Sequence, residues 1–435
     1  MQPGKVPPKY LILILLSFSV AFTGHSAVFS MAKKEPVEAS KEDEKEPFAG
    51  PSFHFDPTDS IIPPALVIDP EVPDTTQSSG GFVGFINSVS SLFQMDTSKR
   101  KKITFLALPE FSYGDVDGIG LGFTARMYIN NYHPLPNGNR RRQSYIDLSG
   151  GFTFKGNITA SIRPTFYLLD DRLLLKGLLA IGHYPTTFRA IGDHTTDDQK
   201  ENYDKRSTRM HFISYWRWFR NTYVGAGFHY YDYGVKDVVE GGMLDQGDIT
   251  GHNGTKISGL SLHYLYDSRD DQFVPLRGVY IQIDAHFNGR FIGSSEDYTK
   301  YIIDARYYLP VGRNQIIAMN FYSHMSVGDV PFQDMALLSN GVHSRGYGTG
   351  RYLDKNLMSL QAEYRYYFGR FGVSAFASTA NIGETALKAL KMDKPTFGGG
   401  LRFKPFRAQR MYFRADVGFN THGDIQFYLG LDELF

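Results

Sequence analysis

The stretch GIGLGFTARMYIN (118–130) alternates apolar residues with small or polar ones at a period of two. One face would carry Ile119, Leu121, Phe123, Ala125, Met127 and Ile129, and the other Gly120, Gly122, Thr124, Arg126 and Tyr128. Because successive side chains of a β-strand point to opposite faces, this pattern predicts a strand with one apolar face. That face would meet a core in a soluble sandwich and lipid in a membrane barrel, so one strand does not distinguish the two.

Sixteen segments of this kind follow one another to the end of the chain. They are 103–113, 118–130, 143–156, 157–169, 172–184, 204–218, 221–234, 256–267, 277–289, 298–310, 313–327, 356–369, 371–382, 396–406, 409–420 and 424–435. From the middle of the chain onward, short connections alternate with long ones, as the periplasmic turns and extracellular loops of outer-membrane barrels do. The series therefore predicts an all-β protein, a 16-stranded antiparallel transmembrane β-barrel over residues 102–435 with both termini on the periplasmic side.

The composition of the 435 residues agrees with this fold and excludes several classes of function. Lys and Arg number 46 and Asp and Glu 45, a net charge of +1, which argues against a nucleic-acid partner. The chain has no Cys, which excludes disulfides, thiol catalysis and Cys-bound metals. Phe 34, Tyr 28 and Gly 44 favour strands joined by tight turns. The slightly negative mean hydropathy argues against a bundle of membrane helices.

The N-terminal region carries the features of an exported protein. Lys5 and Lys9 precede an apolar run over 10–22, and small residues follow that run. This order is typical of a secretory signal, which we predict over residues 1–27. The run is shorter than the roughly 20 residues that an uncleaved membrane anchor would need.

Two further segments separate the signal from the first strand. Residues 28–81 are rich in proline and charge, and we predict a disordered periplasmic linker there. Residues 82–94 repeat apolar residues at helical spacing, which predicts a short amphipathic helix. That helix would lie on the membrane or seal a barrel mouth, or it would merely pack on the barrel.

Four stretches of the predicted barrel carry more specific motifs. They are YDSRDDQFVPLRGVY (266–280), HSRGYGTGRYLDKN (343–356), AEYRYYFGRFGVSAF (362–376) and FYLGLDELF (427–435). In order and spacing they resemble the BamA/TamA superfamily of outer-membrane barrels, also called bacterial surface antigens. The resemblance implies a protein that assists the insertion or translocation of other proteins at the bacterial outer membrane.

The resemblance also implies a functional loop inside the barrel. Arg345, Gly346, Tyr347 and Arg351 match the arginine–glycine–tyrosine loop, which tucks into the lumen so that its arginine meets an acidic residue of the inner wall. Glu363 matches that acidic partner. Family members often have an Asp on the following strand, where this chain has Ser378. The alternative is that the loop is exposed and its two arginines are only solvated.

A second predicted site is the seam between the first and the last strand. Pro109 removes a backbone donor from the first strand, and Gly430 weakens the last one. We predict a lateral gate there, and ordinary sequence tolerance at a closing seam is the alternative. The alternating residues Phe427, Leu429, Leu431 and Phe435 resemble the C-terminal assembly signal of outer-membrane barrels.

Other features limit the function. Residues 31–101 show no βααββ pattern, so we expect no POTRA module ahead of the barrel. No cofactor or metal motif is found, and Ser339 and His343 lack the third group of a catalytic triad, so we expect no enzyme. We expect outer-membrane lipid as a partner, together with other outer-membrane proteins or periplasmic factors. A plugged pore or small-solute channel using Arg126, Arg163 and Lys176 is an alternative function, as is a structural surface barrel.

Overall fold

The computed structural model describes most of the predicted barrel region. The described residues are 103–114, 118–129, 142–196, 199–339, 342–348, 350–404 and 412–435, together with the backbone of 27–31 and 52–53. The predicted helix over 82–94 lies outside them, as does nearly all of the predicted signal and linker. Among the described residues, no helix is long and apolar enough to cross a membrane.

The described part of the chain is almost entirely β-structure. Its strands are β1 (Ala27–Met31), β2 (Ser52–Phe53), β3 (Ile103–Gly114), β4 (Gly118–Ile129), β5 (Ser144–Thr153), β6 (Ile158–Leu168), β7 (Leu173–Arg189), β8 (Lys200–Phe219), β9 (Thr222–Lys236), β10 (Gly254–Asp267), β11 (Gly278–Asn288), β12 (Tyr298–Gly312), β13 (Gln315–Gly328), β14 (Ala336–Leu338), β15 (Tyr352–Asp354), β16 (Asn356–Phe368), β17 (Phe371–Gly383), β18 (Lys394–Phe403), β19 (Phe413–Asn420) and β20 (Ile425–Leu431). A short helix, α1 (Ala386–Ala389), and two 3₁₀ turns, Arg290–Ile292 and Phe332–Asp334, interrupt the connections.

The long strands form one antiparallel sheet in chain order. Each strand from β3 to β13 pairs with the next, and the ladder continues from β13 to β16 and then to β20. The two short strands β14 and β15 pair with each other inside the connection between β13 and β16, and Leu353 of β15 also bridges to Ile191 and Gly192. Every segment predicted from the sequence overlaps one of the long strands.

The pairing at the two edge strands, β3 and β20, bears on whether the sheet closes into a barrel. In the described residues no ladder pair joins β3 to β20, and the outer edge of β20 pairs instead with β1, which in turn pairs with β2. The closed barrel of sixteen strands and the boundaries of signal and linker therefore stay predictions. The all-β class and the large antiparallel sheet are confirmed.

The two faces of the sheet differ as the period of two predicts. On β10, Leu260 and Leu262 are 48% and 58% exposed, whereas the alternating residues Ser261 and His263 are buried. On β4, Leu121 and Phe123 are likewise exposed and Tyr128 is buried, although Ala125 of the apolar face is also buried. The sheet thus has an apolar outer face and a polar and aromatic inner face, the arrangement that a lipid environment favours.

Two predictions about strand ends are wrong. The loop expected over 185–203 is shorter, because β7 and β8 run on to Arg189 and start at Lys200. The last strand ends at Leu431 rather than at residue 435, since Asp432 adopts a left-handed backbone conformation with φ 64° that breaks the strand.

Candidate functional site

The connection between β13 and β16 folds back over the inner face of the sheet. Asp334 in its 3₁₀ turn accepts hydrogen bonds from Lys300 Nζ, at 2.6 and 2.7 Å, and from the Tyr298 hydroxyl at 2.6 Å. Further along, His343 stacks on Tyr322 with ring centroids 3.6 Å apart. These contacts fix the loop near β12 and β13 and direct its tip toward the last strands.

The tip of the loop approaches β19 and β20 at very short range. Gly346 has φ +128°, and a Cβ atom there would lie 2.7 Å from the carbonyl oxygen of Phe419. A Cβ atom at Gly418 would in turn lie 3.1 Å from the Arg345 carbonyl oxygen. The backbone N–H of Gly346 donates to the Tyr428 hydroxyl at 2.8 Å. Glycine at position 346 is therefore required both by its backbone angle and by lack of space.

Arg345 is completely buried and contacts three side chains. Its guanidinium donates to Glu363 on β16 and, at 2.6 Å, to Asp416 on β19. It also lies over the ring of Phe376 on β17, 3.6 Å from the ring centroid. Charge-assisted bonds to two carboxylates and a cation–π contact together hold the loop against three separate strands.

Arg345 belongs to a larger buried charge cluster. We use this term for Arg345, Glu363, Arg365, Arg402, Arg414, Asp416 and Glu433. Arg402 on β18 is at its centre and donates to Glu363 at 2.7 Å, to Asp416 at 2.5 Å and to Glu433 at 3.0 Å. Arg365 contacts Glu363 and Glu433 at 3.2 and 3.4 Å, and Arg414 contacts Asp416 at 3.1 Å.

The acidic and basic side chains of the cluster are paired closely enough for the cluster to be stable inside the protein. Every carboxylate in it touches at least two guanidinium groups, which offsets the cost of removing these charges from water. The Tyr367 hydroxyl also donates to Glu433 at 2.7 Å. The cluster therefore connects the loop to three strands, β16, β18 and β19, and to the residues that follow β20.

The other predicted loop residues have different partners. Tyr347 is buried and packs edge-on against Tyr352, with ring centroids 5.9 Å apart. Arg351 donates to the Thr195 carbonyl oxygen at 2.7 Å and lies over the Tyr352 ring. Arg351 thus contacts the connection between β7 and β8.

The predicted seam residues lie in the two strands at the ends of the series. Pro109 belongs to β3, opposite Phe123 of β4, and Gly430 belongs to β20, opposite Arg414 of β19. In the part of the chain that the structure describes, these two strands share no ladder pair. The edge of β20 carries the five residues of β1.

The four residues of the predicted C-terminal signal separate into two groups. Phe427 and Leu429 are on the exposed face of β20, and Leu431 ends that strand. Phe435 was expected on the same face and is instead buried, because the backbone turns at Asp432. Its carbonyl oxygen accepts a hydrogen bond from Arg365 at 2.9 Å, so the end of the chain joins the charge cluster.

Sequence reasoning assigned Arg345 and Glu363 to this site and missed the other five members of the cluster. It found Ser378 where family members often have a second acidic residue, and the Ser378 hydroxyl hydrogen-bonds to Thr396 at 2.5 Å. Asp416 supplies that carboxylate from β19, two strands further along. A charged residue at a buried-face position of a short apolar strand, as at Asp416 and Arg402, is the signal that could have located them.

The sequence matches the family model described as the Omp85 superfamily domain over residues 148–418. The chain belongs to the Omp85 superfamily. Its fold resembles BamA from Haemophilus ducreyi lacking POTRA domains 1–3, with a TM-score of 0.51 and 14% identity, covering 77% of this chain and 70% of that chain. CdiB from Acinetobacter baumannii is matched with a TM-score of 0.49 and 13% identity over 76% of this chain and 60% of that chain. No curated protein matches the sequence significantly.

These findings confirm the BamA/TamA-type resemblance predicted from the four motifs. At 14% identity the likeness to BamA shows the fold alone. Membership of the Omp85 superfamily indicates a bacterial outer-membrane protein related to insertion and translocation proteins.

Proposed function

We propose that this Omp85 protein is a closed, 16-stranded outer-membrane barrel that assists the insertion or translocation of other proteins. Client strands would reach the lipid through a weak seam between β3 and β20. The loop that carries Arg345 would remain docked in the lumen. The N-terminal linker would lie in the periplasm, other outer-membrane proteins or periplasmic factors would be the partners, and no enzymatic activity is proposed.

The observation that carries this proposal is the buried charge cluster. It joins the loop to β16, β18 and β19 and to residues just beyond β20. It therefore makes one side of the seam rigid. On the other side, β3 contains Pro109, which cannot donate a backbone hydrogen bond. A rigid edge facing a weak one favours opening at that seam over opening elsewhere in the wall.

The shape of the inner face supports closure of the sheet. Tyr128 and Tyr145 of β4 and β5 belong to the same hydrophobic cluster as Tyr308 of β12 and Tyr367 of β16. Strands distant in the ladder can meet in this way only if the sheet curls strongly. The outer face carries a broad band of exposed apolar side chains, which supports lipid as the surrounding medium.

Two experiments test the function. Depletion of the protein followed by a profile of the outer-membrane proteins should show the loss of one or more clients, and an unchanged profile would overturn the proposal. Disulfides engineered between β3 and β20 should abolish activity, which reduction should restore. The absence of native cysteine means that any disulfide formed is the designed one.

Conductance in a planar bilayer tests the alternative of a solute channel. Arg126 hydrogen-bonds to Asp147, and Lys176 lies over the Tyr215 ring at 5.3 Å, so both cations already have partners inside the protein. We therefore expect low conductance. A large and steady conductance would favour the channel.

A further inference from the structure

The turn between β10 and β11, residues 268–277, also folds onto the inner face. Phe273 at its tip is only 3% exposed, and Val274 is buried beside it. The Asp271 carboxylate accepts hydrogen bonds from the backbone N–H groups of Phe273 and Val274, at 2.9 and 3.0 Å. The Asp270 carboxylate accepts from the N–H of Leu276 at 2.9 Å. The turn is therefore fixed by its own side chains in an inward conformation.

The base of the turn is tied to the inner wall by two arginines. Arg269 donates to Asp267 at 2.9 and 3.0 Å and to the Gln272 carbonyl oxygen at 2.9 Å. Arg142, just before β5, donates to Asp267 at 2.7 Å. The Gln272 amide donates to the Tyr167 hydroxyl of β6 at 2.7 Å. These bonds attach the turn to the β5–β6 part of the wall.

Phe273 contacts the strands that follow β3. Its ring meets Tyr128 of β4 edge-on, with centroids 6.3 Å apart, and Tyr145 of β5 at 6.1 Å. The Arg126 guanidinium lies 5.1 Å from the ring centroid of Phe273. Because β4 is the ladder partner of β3, Phe273 contacts the wall on the first-strand side of the seam.

The same residue also contacts the end of the chain beyond β20. The Glu433 backbone N–H donates to the Phe273 carbonyl oxygen at 3.3 Å. Phe435 belongs to the same buried hydrophobic cluster as Phe273. Asp432 Oδ2 lies 3.6 Å from Arg126 Nη1, which brings the end of the chain directly against β4. Phe273 is thus located between the two sides of the seam, although its own strands lie in the opposite part of the sheet.

We propose that residues 268–277 form an internal clasp that holds the β3 side and the β20 side of the seam together, with Phe273 as its central positioning residue. The inference rests on the proposed seam and adds its regulation. In the described residues no backbone ladder joins β3 to β20, whose edge pairs with β1, and the contacts of Phe273 link β4, the ladder partner of β3, to the residues that follow β20. Opening the seam would require one of two sets of contacts to break. Either Phe273 would separate from Tyr128 and Tyr145, or the residues that follow β20 would separate from Phe273.

A distance measurement tests the clasp without any client protein. Spin labels on Ala107→Cys of β3 and Leu429→Cys of β20 report the width of the seam, and the cysteine-free background leaves no other label. In detergent we expect Phe273→Ala to lengthen the label separation by at least one strand spacing, about 5 Å. Phe273→Leu, which keeps an apolar contact, should retain most of the short distance.

A second variant and a control complete the test. Asp271→Ala removes the acceptor for two backbone N–H groups while leaving Phe273 in place, and it should lengthen the distance in the same direction. Phe397→Ala removes a phenylalanine that is 56% exposed on the outer face, and it should leave the distance unchanged. Only samples that show the heat-dependent gel shift of a folded barrel are measured.

The outcomes separate the clasp from the proposed function. Unchanged distances in folded Phe273→Ala and Asp271→Ala proteins would overturn the clasp, even if locking the seam abolishes activity. Lengthened distances would support the clasp, even if depletion leaves the outer-membrane protein profile unchanged. In that second case only the insertion or translocation function would fail.

Discussion

Replacing Glu363 with glutamine tests the buried charge cluster most directly. The Glu363 carboxylate accepts from Arg345, from Arg402 at 2.7 Å and from Arg365 at 3.2 Å. Glutamine has nearly the same shape but only one acceptor oxygen, and its amide group would face a guanidinium. At least one buried arginine would therefore lose one of its two or three carboxylate partners, and the four arginines would face two carboxylates instead of three.

The expected loss of stability follows from this count. Removing one partner from a buried ion pair costs about 3–5 kcal/mol, because the remaining charge stays buried without compensation. At roughly 2 °C for each kcal/mol in a large domain, the midpoint of heat unfolding should fall by about 6–10 °C. The assay is the temperature at which the purified protein in detergent loses its heat-dependent gel shift, checked by circular dichroism.

Glu384→Gln is the matched control for this substitution. Glu384 pairs with Lys388 at 3.5 Å, but its side chain is 70% exposed, and an exposed pair is worth about 0–1 kcal/mol. The control should unfold within about 2 °C of the unaltered protein. If Glu363→Gln behaves like the control, the cluster does not stabilise the docked loop and the reasoning is refuted.

Three further substitutions give distinct results. Tyr428→Phe removes the acceptor of the Gly346 N–H and should cost about 1–3 kcal/mol in the same heat assay, whereas an unchanged midpoint would show that the contact is not needed. Gly346→Ala should make the loop accessible to trypsin, because the new Cβ atom would collide with the backbone of Phe419. Gly192 has a similar φ of +130° but open space around it, so Gly192→Ala should not increase cleavage. Equal cleavage of the two variants would show that backbone strain alone releases the loop. Burial raises the pKa of Asp432 to about 8, against the lowering effect of Arg126. Because the folded protein then binds more protons than the unfolded chain between about pH 4 and 8, stability should fall as pH rises through that range. Asp432→Asn should remove this component of the pH dependence of the unfolding midpoint, and a slope identical to that of the unaltered protein would contradict it.

Much of the sheet could be predicted from local sequence because its signal is local. Alternate residues such as Leu260 and Leu262 of β10 share one exposed apolar face, so a period of two is sufficient to locate such strands. The C-terminal part of β7 and the N-terminal part of β8 were not predicted by this pattern. They extend beyond the region with a continuous apolar face, and backbone pairing over pairs such as Phe188 and Glu201 continues without it.

The candidate site was only partly accessible to sequence reasoning, for a different physical reason. The family motifs pointed to Arg345 and Glu363, which lie 18 residues apart. Asp416 meets Arg345 of the loop, and the turn at Phe273 meets β4 and β5, between segments that are not neighbours in the ladder. Such contacts depend on how the sheet curves, and no local period encodes that curvature.

The position of Asp416 makes docking of the loop depend on a distant part of the chain. Arg345 and Asp416 are 71 residues apart, and Asp416 lies on β19, which pairs with β18. Without these two strands the guanidinium would have only part of its acidic surroundings. Full docking of the loop therefore requires the C-terminal strands to be in the sheet.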